Sequence, residues 1–438
     1  MSHRLRWYIY FSLFLFPFIL FAPIILGGRA LFWGTPLTQF IPWWTWTWET
    51  TSHGVLPLWN SMLGMGAPLI ANYQTALFYP PTWVYYLLYS LGGVSFMAWG
   101  QAVMVVLHLS WAALGMALLV RQFGLSKFAQ IIAGLAFGLS GYLVSRAGFL
   151  SINAAAAWMP WILLGVTKLV DAVEGKSSSG INNLESRQST NSFEVISAFL
   201  LLVLSLAMQL LAGHAQTMWY TLLLASAWVM YLAFVGIRKS IRGENSSDKK
   251  RPEEVSGGEN STSRSVVEHH INKTTSKSLV SLLILFGIGI ILAVGLAAVQ
   301  LLPTAEYLLQ SQRAAAVDYD FAMTYSFWPW RFLTFIAPDL YGNPVNGDYW
   351  GYANYWEDAV YIGLIPFILA IMTLVTRGRK TRNNKYINPA FVGFLFAVIL
   401  ATFLIALGRN TPVFPWLFKY IPTFALFQAP TRLSIIAI

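Results

Sequence analysis

Nine separate stretches of this chain are long and apolar enough to cross a lipid bilayer as helices, and that repetition excludes almost every water-soluble architecture. A hydrocarbon core of about 30 Å takes about 20 helical residues. The runs fall at residues 7–27, 94–120, 128–145, 149–170, 195–213, 216–237, 278–302, 359–376 and 389–408. Composition agrees, since 56% of the 438 residues are hydrophobic and 11% are charged, against about 25% charged in a soluble domain. The first run is too long for a signal-peptide core and lacks a small-residue cleavage site, so it reads as a retained helix. Its prolines, Pro17 and Pro23, are tolerable in lipid. The expected fold is therefore an all-α polytopic membrane protein, one transmembrane domain over 1–438, with nine complete spans. A truncated tenth begins near Arg432, so a further C-terminal part is expected.

Lys and Arg concentrate in cytoplasmic loops, which lets charge set the orientation. With the N-terminus in the cytoplasm, 21 of the 28 Lys and Arg fall inside and seven outside. The net charge of +10 is thus a topological signal, and no nucleic-acid partner is implied. The absence of cysteine excludes disulfides, thiol catalysis and thiolate metal sites. Two inner loops, 171–193 and 238–277, are rich in Ser, Asn, Lys and Glu and nearly free of apolar residues, so they are expected to be disordered.

The outer face carries the informative segments. The first outer loop, 28–93, contains GTPLTQFIPWWTWTWETTSHGVLPLWNSMLGMGAPLIANYQTALFYPP over residues 34–81. It is too broken by Pro and Gly to cross a bilayer, yet its Trp and Tyr suit the membrane–water interface, which predicts short interfacial helices. Its single acid is Glu49. The second outer loop, 303–358, collects seven acids against Arg313 and Arg331. Within it YGNPVNGDYWGYANYWEDAVY mixes acids, Asn and aromatics, which suits a sugar: hydroxyls pair with carboxylates and the C–H face packs on a ring. Polar residues at span ends face a cavity more often than lipid. Arg146, His214, Gln216, Gln300 and Glu306 all stand near outer ends and could converge on one such cavity.

The ordered set of motifs resembles one family. Gly34 to Trp43, then LPLWN, GMGAP, ANYQTALFYPP, GHAQT, AAVQLLPTAEYLLQSQR, APDLYG, NYWED, ALGRNTP and FQAPTR look like the YfhO family of bacterial membrane proteins over almost the whole chain. That family is similar to the GT-C glycosyltransferases, so the resemblance implies a GT-C-like fold in the cell membrane. It also implies transfer of a sugar from a polyprenyl-phosphate donor to an envelope polymer or lipid acceptor on the outer side. The family pattern has Asp where this chain has Thr35, while Gln39 and Pro42 match it. Thr cannot serve as a carboxylate base.

The implied mechanism needs a carboxylate to deprotonate the acceptor, and the candidates are Glu49, then Asp348 and Glu357. A guanidinium pairs bidentately with phosphate, which nominates Arg313 and Arg432. Gln39, Asn60, Asn72, Gln74, His214 and Gln216 would orient sugar or phosphate, with Glu306 as a further substrate contact. No residue cluster has metal-ligand spacing, although a divalent cation is compatible with the chemistry. Two other classes remain open: a flippase or transporter for lipid-linked sugars, and an inactive scaffold for envelope assembly.

Overall fold

The computed structural model describes residues 3–31, 34–173, 184–248, 261–311, 317–352, 354–376 and 388–438. The helices are α1 (His3–Leu20), α2 (Ala22–Ile25), α3 (Ile41–Ser52), α4 (Thr82–Gln122), α5 (Lys127–Gly138), α6 (Gly141–Ser145), α7 (Leu150–Ala156) and α8 (Met159–Val173). They continue as α9 (Leu184–Leu211), α10 (Ala215–Asp248), α11 (Ser261–Leu309), α12 (Tyr319–Ala322), α13 (Leu364–Val375), α14 (Pro389–Ala406) and α15 (Val413–Tyr420). Among the described residues the only sheet is one antiparallel pair, β1 (Trp59–Asn60) and β2 (Ala67–Pro68), with Trp59 opposite Pro68 and Asn60 opposite Ala67.

Among the described residues, seven helical stretches are long and apolar enough to cross a membrane, judged by length and composition: Thr82–Gln122, Lys127–Ser145, Leu150–Val173, Ser192–Leu211, Ala215–Val235, Leu279–Leu309 and Pro389–Ala406. Two shorter apolar helices, Trp7–Leu20 and Leu364–Val375, occupy the other two expected runs. The middles of the two polar inner loops, 174–183 and 249–260, lie outside the described residues. α9, α10 and α11 extend into their flanks.

Leu150–Val173 is the innermost span, with 94% of its apolar window buried, whereas Pro389–Ala406 has 17% buried and presents its apolar surface outward, as a lipid-facing helix does. α8 packs on α4 and α9, and α9 packs on α11. The α4–α5 crossing uses Gly134 and Gly138, four residues apart. A Cβ at Gly138 would lie 2.6 Å from Ala113 Cβ and 2.8 Å from Leu109 O. In lipid such close backbone approach replaces the hydrophobic driving force between helices.

α4 breaks at Gly92 and Gly93, the latter at φ +65, a conformation that favours glycine. The break separates a first piece, Thr82 to Leu91, from the long apolar run that follows. The rest of the first outer loop packs on that piece. Trp44 stacks on Tyr85 at 4.1 Å and Trp48 on Tyr86 at 5.8 Å. Trp44 Nε1 donates to Thr75 O at 2.9 Å and Trp46 Nε1 to Trp59 O at 3.0 Å. The loop is also tied to the helices beneath it: Gln300 Nε2 donates to Ile70 O (3.0 Å), Thr304 Oγ1 to Ala71 O (3.1 Å), and Tyr73 OH to Leu210 O. The VQLLPT and ANYQT motifs are therefore two sides of one structural joint. At the other end of the chain, Pro430–Ala437 forms a 3-10 helix packed on α14.

Candidate functional site

The segment that ends at Glu357 and Asp358 is held down by ionic contacts, one of which joins residues 211 positions apart. Glu357 is 2% exposed. Its carboxylate accepts from Arg432 Nη2 at 2.6 Å and from Arg432 Nε at 3.0 Å, and Arg146 Nη2 lies 3.3 Å away. Arg146 is fully buried. Its guanidinium also donates to Glu357 O (2.9 Å) and Tyr142 O (3.2 Å) and sits 3.8 Å from the centre of the Tyr142 ring. Asn153 Nδ2 donates to Arg146 O at 2.6 Å. Burial alone would raise the Glu357 carboxyl, but Arg432 and Arg146 outweigh it and hold the group below the usual carboxylate range.

Gln216 closes the next shell. Its Nε2 donates to Tyr220 OH (2.8 Å) and Gln428 O (2.6 Å), and its Oε1 lies 3.4 Å from Arg432 Nη1. His214, one residue before α10, takes the Thr217 amide on Nδ1 at 3.2 Å and so satisfies one of the open N–H groups of that helix start. Burial, followed by the field of Arg432, pushes its imidazole down to about 3, so the ring is neutral at physiological pH.

The neighbouring carboxylate has a different environment. Asp358 Oδ1 accepts from Thr431 Oγ1 at 3.0 Å, and Oδ2 lies 3.1 Å from Arg331 Nε. The Arg331 N–H groups at Nε and Nη1 are not directed at any acceptor, so this is a charge contact rather than a hydrogen bond. Arg331 is 2% exposed and lies 4.8 Å from the centre of the Tyr341 ring. Burial pushes the Asp358 carboxyl up to about 6, with Arg331 opposing. Arg331 and Asp358 both line a cleft of ≈ 720 Å³ whose walls include Gly141, Val144, Tyr355 and Trp356. Its floor is fixed by Gly141 N donating to Tyr361 O at 2.6 Å. A volume of that size suits a small-molecule or sugar ligand.

Of the residues nominated from sequence, the structure brings together Arg146, His214, Gln216, Glu357 and Arg432. The others stand elsewhere. Glu49 is exposed and accepts from Tyr89 OH at 3.0 Å. Asp348 is exposed and accepts from Asn343 N at 2.7 Å within its own loop. Among the described residues neither has a hydrogen bond or ion pair to the Glu357 cluster. Asn60 is buried and accepts from Met62 N at 2.9 Å, and Asn72 accepts from Gln74 N at 3.2 Å, so both are occupied in local turns. Gln39 is half-buried in the π-helical turn Pro36–Phe40. Thr35 Oγ1 donates to Gly148 O at 2.6 Å. Gln74 borders a space of only ≈ 20 Å³ beside Tyr79 and His108, too small for a sugar. Glu306 is exposed on α11, and Arg313 lies outside the described residues.

Arg331 and Asp358 were not nominated from sequence. The signal was weak: Asp358 shares a WED run with Glu357, and Arg331 is one of only two cations in its loop. For a divalent cation the donor set is unsuitable. Three guanidiniums, Arg146, Arg331 and Arg432, face two carboxylates, which leaves positive charge over. Among the described residues there is no group of three or more His, Asp or Glu that could hold a metal ion.

Residues 263–432 match the family model described as bacterial membrane protein YfhO. The match covers the second outer segment, Arg331, Glu357, Asp358 and Arg432. No curated protein and no solved structure matches the chain.

Proposed function

We propose that this membrane protein is a GT-C-like glycosyltransferase that moves a sugar from a polyprenyl-phosphate carrier to a cell-envelope acceptor outside the membrane. In this reading the two shorter apolar helices complete nine spans, Pro430–Ala437 belongs to a tenth, and the N-terminus is cytoplasmic. The observation that carries it is Asp358 on the wall of the ≈ 720 Å³ cleft, with a carboxyl pushed up to about 6. A general base works best with a pKa near the operating pH. Glu357, clamped by two guanidiniums, is a weaker base, and in this reading it positions its neighbour.

The chemistry is a single displacement. Asp358 takes the proton of an acceptor hydroxyl, the freed oxygen bonds to the anomeric carbon, and the bond from that carbon to the phosphate oxygen breaks. The carrier phosphate leaves with the electron pair, toward a site whose guanidiniums outnumber its carboxylates. No step passes through a metal ion. Arg432 is engaged on two of its nitrogens by Glu357, which leaves Arg331 as the cation nearest the cleft.

The test is the purified full chain in liposomes with labelled polyprenyl-phosphate sugar. Transfer of label to an envelope acceptor supports the reading. Label moved across the bilayer without transfer points to a flippase, and neither outcome to a scaffold. Asp358→Asn is expected to lower transfer by about 10²- to 10⁴-fold, and Glu49→Gln to leave it near wild type. The reverse pattern would move the chemistry to the first outer loop.

A further inference from the structure

Arg331, which lines the cleft, also lies 4.8 Å from the ring of Tyr341, and Tyr341 belongs to a second concavity of ≈ 560 Å³ lined by Trp330, Tyr341, Trp350, Gly351 and Tyr352. Four of its five residues are aromatic, and three of those are strongly exposed: Trp350 at 71%, Trp330 at 46% and Tyr352 at 45%. Each ring is braced from behind. Trp330 stacks on Trp328 at 4.6 Å, and Trp350 meets Tyr341 edge-on at 5.1 Å. Tyr352 packs edge-on against Trp328 at 5.5 Å. Tyr341 itself is anchored by its hydroxyl on Trp330 O (2.7 Å) and by Arg331 near its ring.

Exposed tryptophans in a membrane protein ordinarily mark the lipid interface, but the backbone here argues for water. The described residues of 336–363 contain no regular helix or strand, and the chain turns through Gly342 (φ +79) and Gly347 (φ +75). Irregular backbone at hydrocarbon depth leaves polar groups unsatisfied at several kcal/mol each. The same turn carries exposed Asp348, Asn346 and Val345. Braced rings in an aqueous loop are pre-organised flat apolar surfaces edged by hydrogen-bonding groups. That combination fits the C–H face of a pyranose and the hydroxyls around it.

We infer that the Trp330–Tyr341–Trp350–Tyr352 groove is a saccharide-binding site, distinct from the Asp358 cleft and suited to hold a glycan chain whose end reaches that cleft. Only its use for an acceptor rests on the glycosyltransferase reading; saccharide binding itself does not.

The test uses the full chain labelled with 5-fluorotryptophan in nanodiscs, with the Trp330 and Trp350 signals assigned from Trp330→Phe and Trp350→Phe. Free maltotriose, galactotriose and tri-N-acetylchitotriose serve as probes. At least one is expected to bind saturably and to shift both signals. Trp350→Ala should weaken that binding about tenfold, the loss of one stacking contact worth about 1.4 kcal/mol, while Trp350→Phe retains most of it with an unchanged unfolding temperature. Asp358→Asn should bind as wild type, so that undiminished transfer by this variant, with binding intact, refutes only the catalytic reading. Absence of saturable binding by all three probes, or binding indifferent to Trp350→Ala, would overturn the inference. So would broadening of both tryptophan signals by spin-labelled lipid chains, which would place the groove in the bilayer.

Discussion

Replacing Glu357 with Gln separates two roles for this carboxylate, as base or as structural counter-ion. The structure supports the second. The carboxylate faces Arg432 at 2.6 and 3.0 Å and Arg146 at 3.3 Å, all at the protein interior. An amide keeps the shape but removes the charge and one acceptor oxygen, leaving the buried Arg146 and the partly exposed Arg432 without a counter-ion. Removing one member of a buried ion pair costs about 3–5 kcal/mol, a large share of the 5–15 kcal/mol that separates folded from unfolded in a typical protein. Arg146 keeps its bonds to Glu357 O and Tyr142 O, so most of the penalty falls on Arg432, whose remaining partner is Gln216 at 3.4 Å. Glu357→Gln is therefore expected to lower the unfolding temperature in detergent and the abundance in the membrane. Adding Arg432→Gln should cost less than the sum of the single changes, with a coupling of about 1–3 kcal/mol. A Glu357→Gln protein of wild-type stability that had lost all transfer would refute the structural role and restore the carboxylate as base. Additive single changes would refute the pairing.

Two further outcomes follow from geometry. Asp358 holds its proton up to about pH 6 in the folded chain, against an ordinary value of 3.8. The folded state thus binds more protons in between, and its contribution to stability falls as pH rises from about 4 to about 6. The unfolding temperature of wild type relative to Asp358→Asn should decline across that window, and a flat difference would contradict the burial of a titrating carboxyl. At the α4–α5 crossing, Gly138→Ala places a methyl 2.8 Å from Leu109 O and should destabilise by about 1–3 kcal/mol. A neutral effect in thermal unfolding would show that the helices can separate without loss.

The helical, membrane-embedded character was legible because apolar run length is a local property. Of the five polar residues singled out at span ends, Arg146, His214 and Gln216 gather, whereas Gln300 is bonded to Ile70 O and Thr304, and Glu306 is exposed. What sequence could not reveal was which charges neutralise one another. Glu357 and Asp358 are adjacent in the chain yet point to different partners, one to Arg146 and Arg432 and the other to Arg331. That divergence is set by packing over separations such as 211 residues, between Arg146 and Glu357. Glu49 drew notice as the sole acid of an aromatic loop. Its contact with Tyr89 follows from the kink at Gly92 and Gly93, which separates the first piece of α4, packed against α3, from the rest of that helix. Gly134 and Gly138 went unnoticed because two glycines in an apolar run look like any other helical small residues until the partner helix is placed.

The adjacency of Glu357 and Asp358 gives the cluster a consequence beyond stability. Thr431 Oγ1 lies 3.2 Å from Glu357 O and 3.0 Å from Asp358 Oδ1, so the residue next to Arg432 touches both halves of the acidic pair. When Arg432 clamps the Glu357 carboxylate, Thr431 is brought against Asp358, and the Asp358 side chain is held on the cleft wall beside Arg331. The ionic cluster therefore fixes the direction of the neighbouring carboxylate as well as joining the second outer segment to the C-terminal segment. Thr431→Val is the change that isolates this link, because it preserves side-chain size and leaves every ion pair intact. If Asp358 is the base as proposed, loss of the hydroxyl should lower transfer by about tenfold, the effect of about 1.4 kcal/mol of misplaced base, and should raise the apparent pKa of the activity profile, since the bond from Thr431 favours the charged carboxylate. A Thr431→Val protein with an unshifted profile and full activity would mean that Asp358 takes its orientation from Arg331 alone.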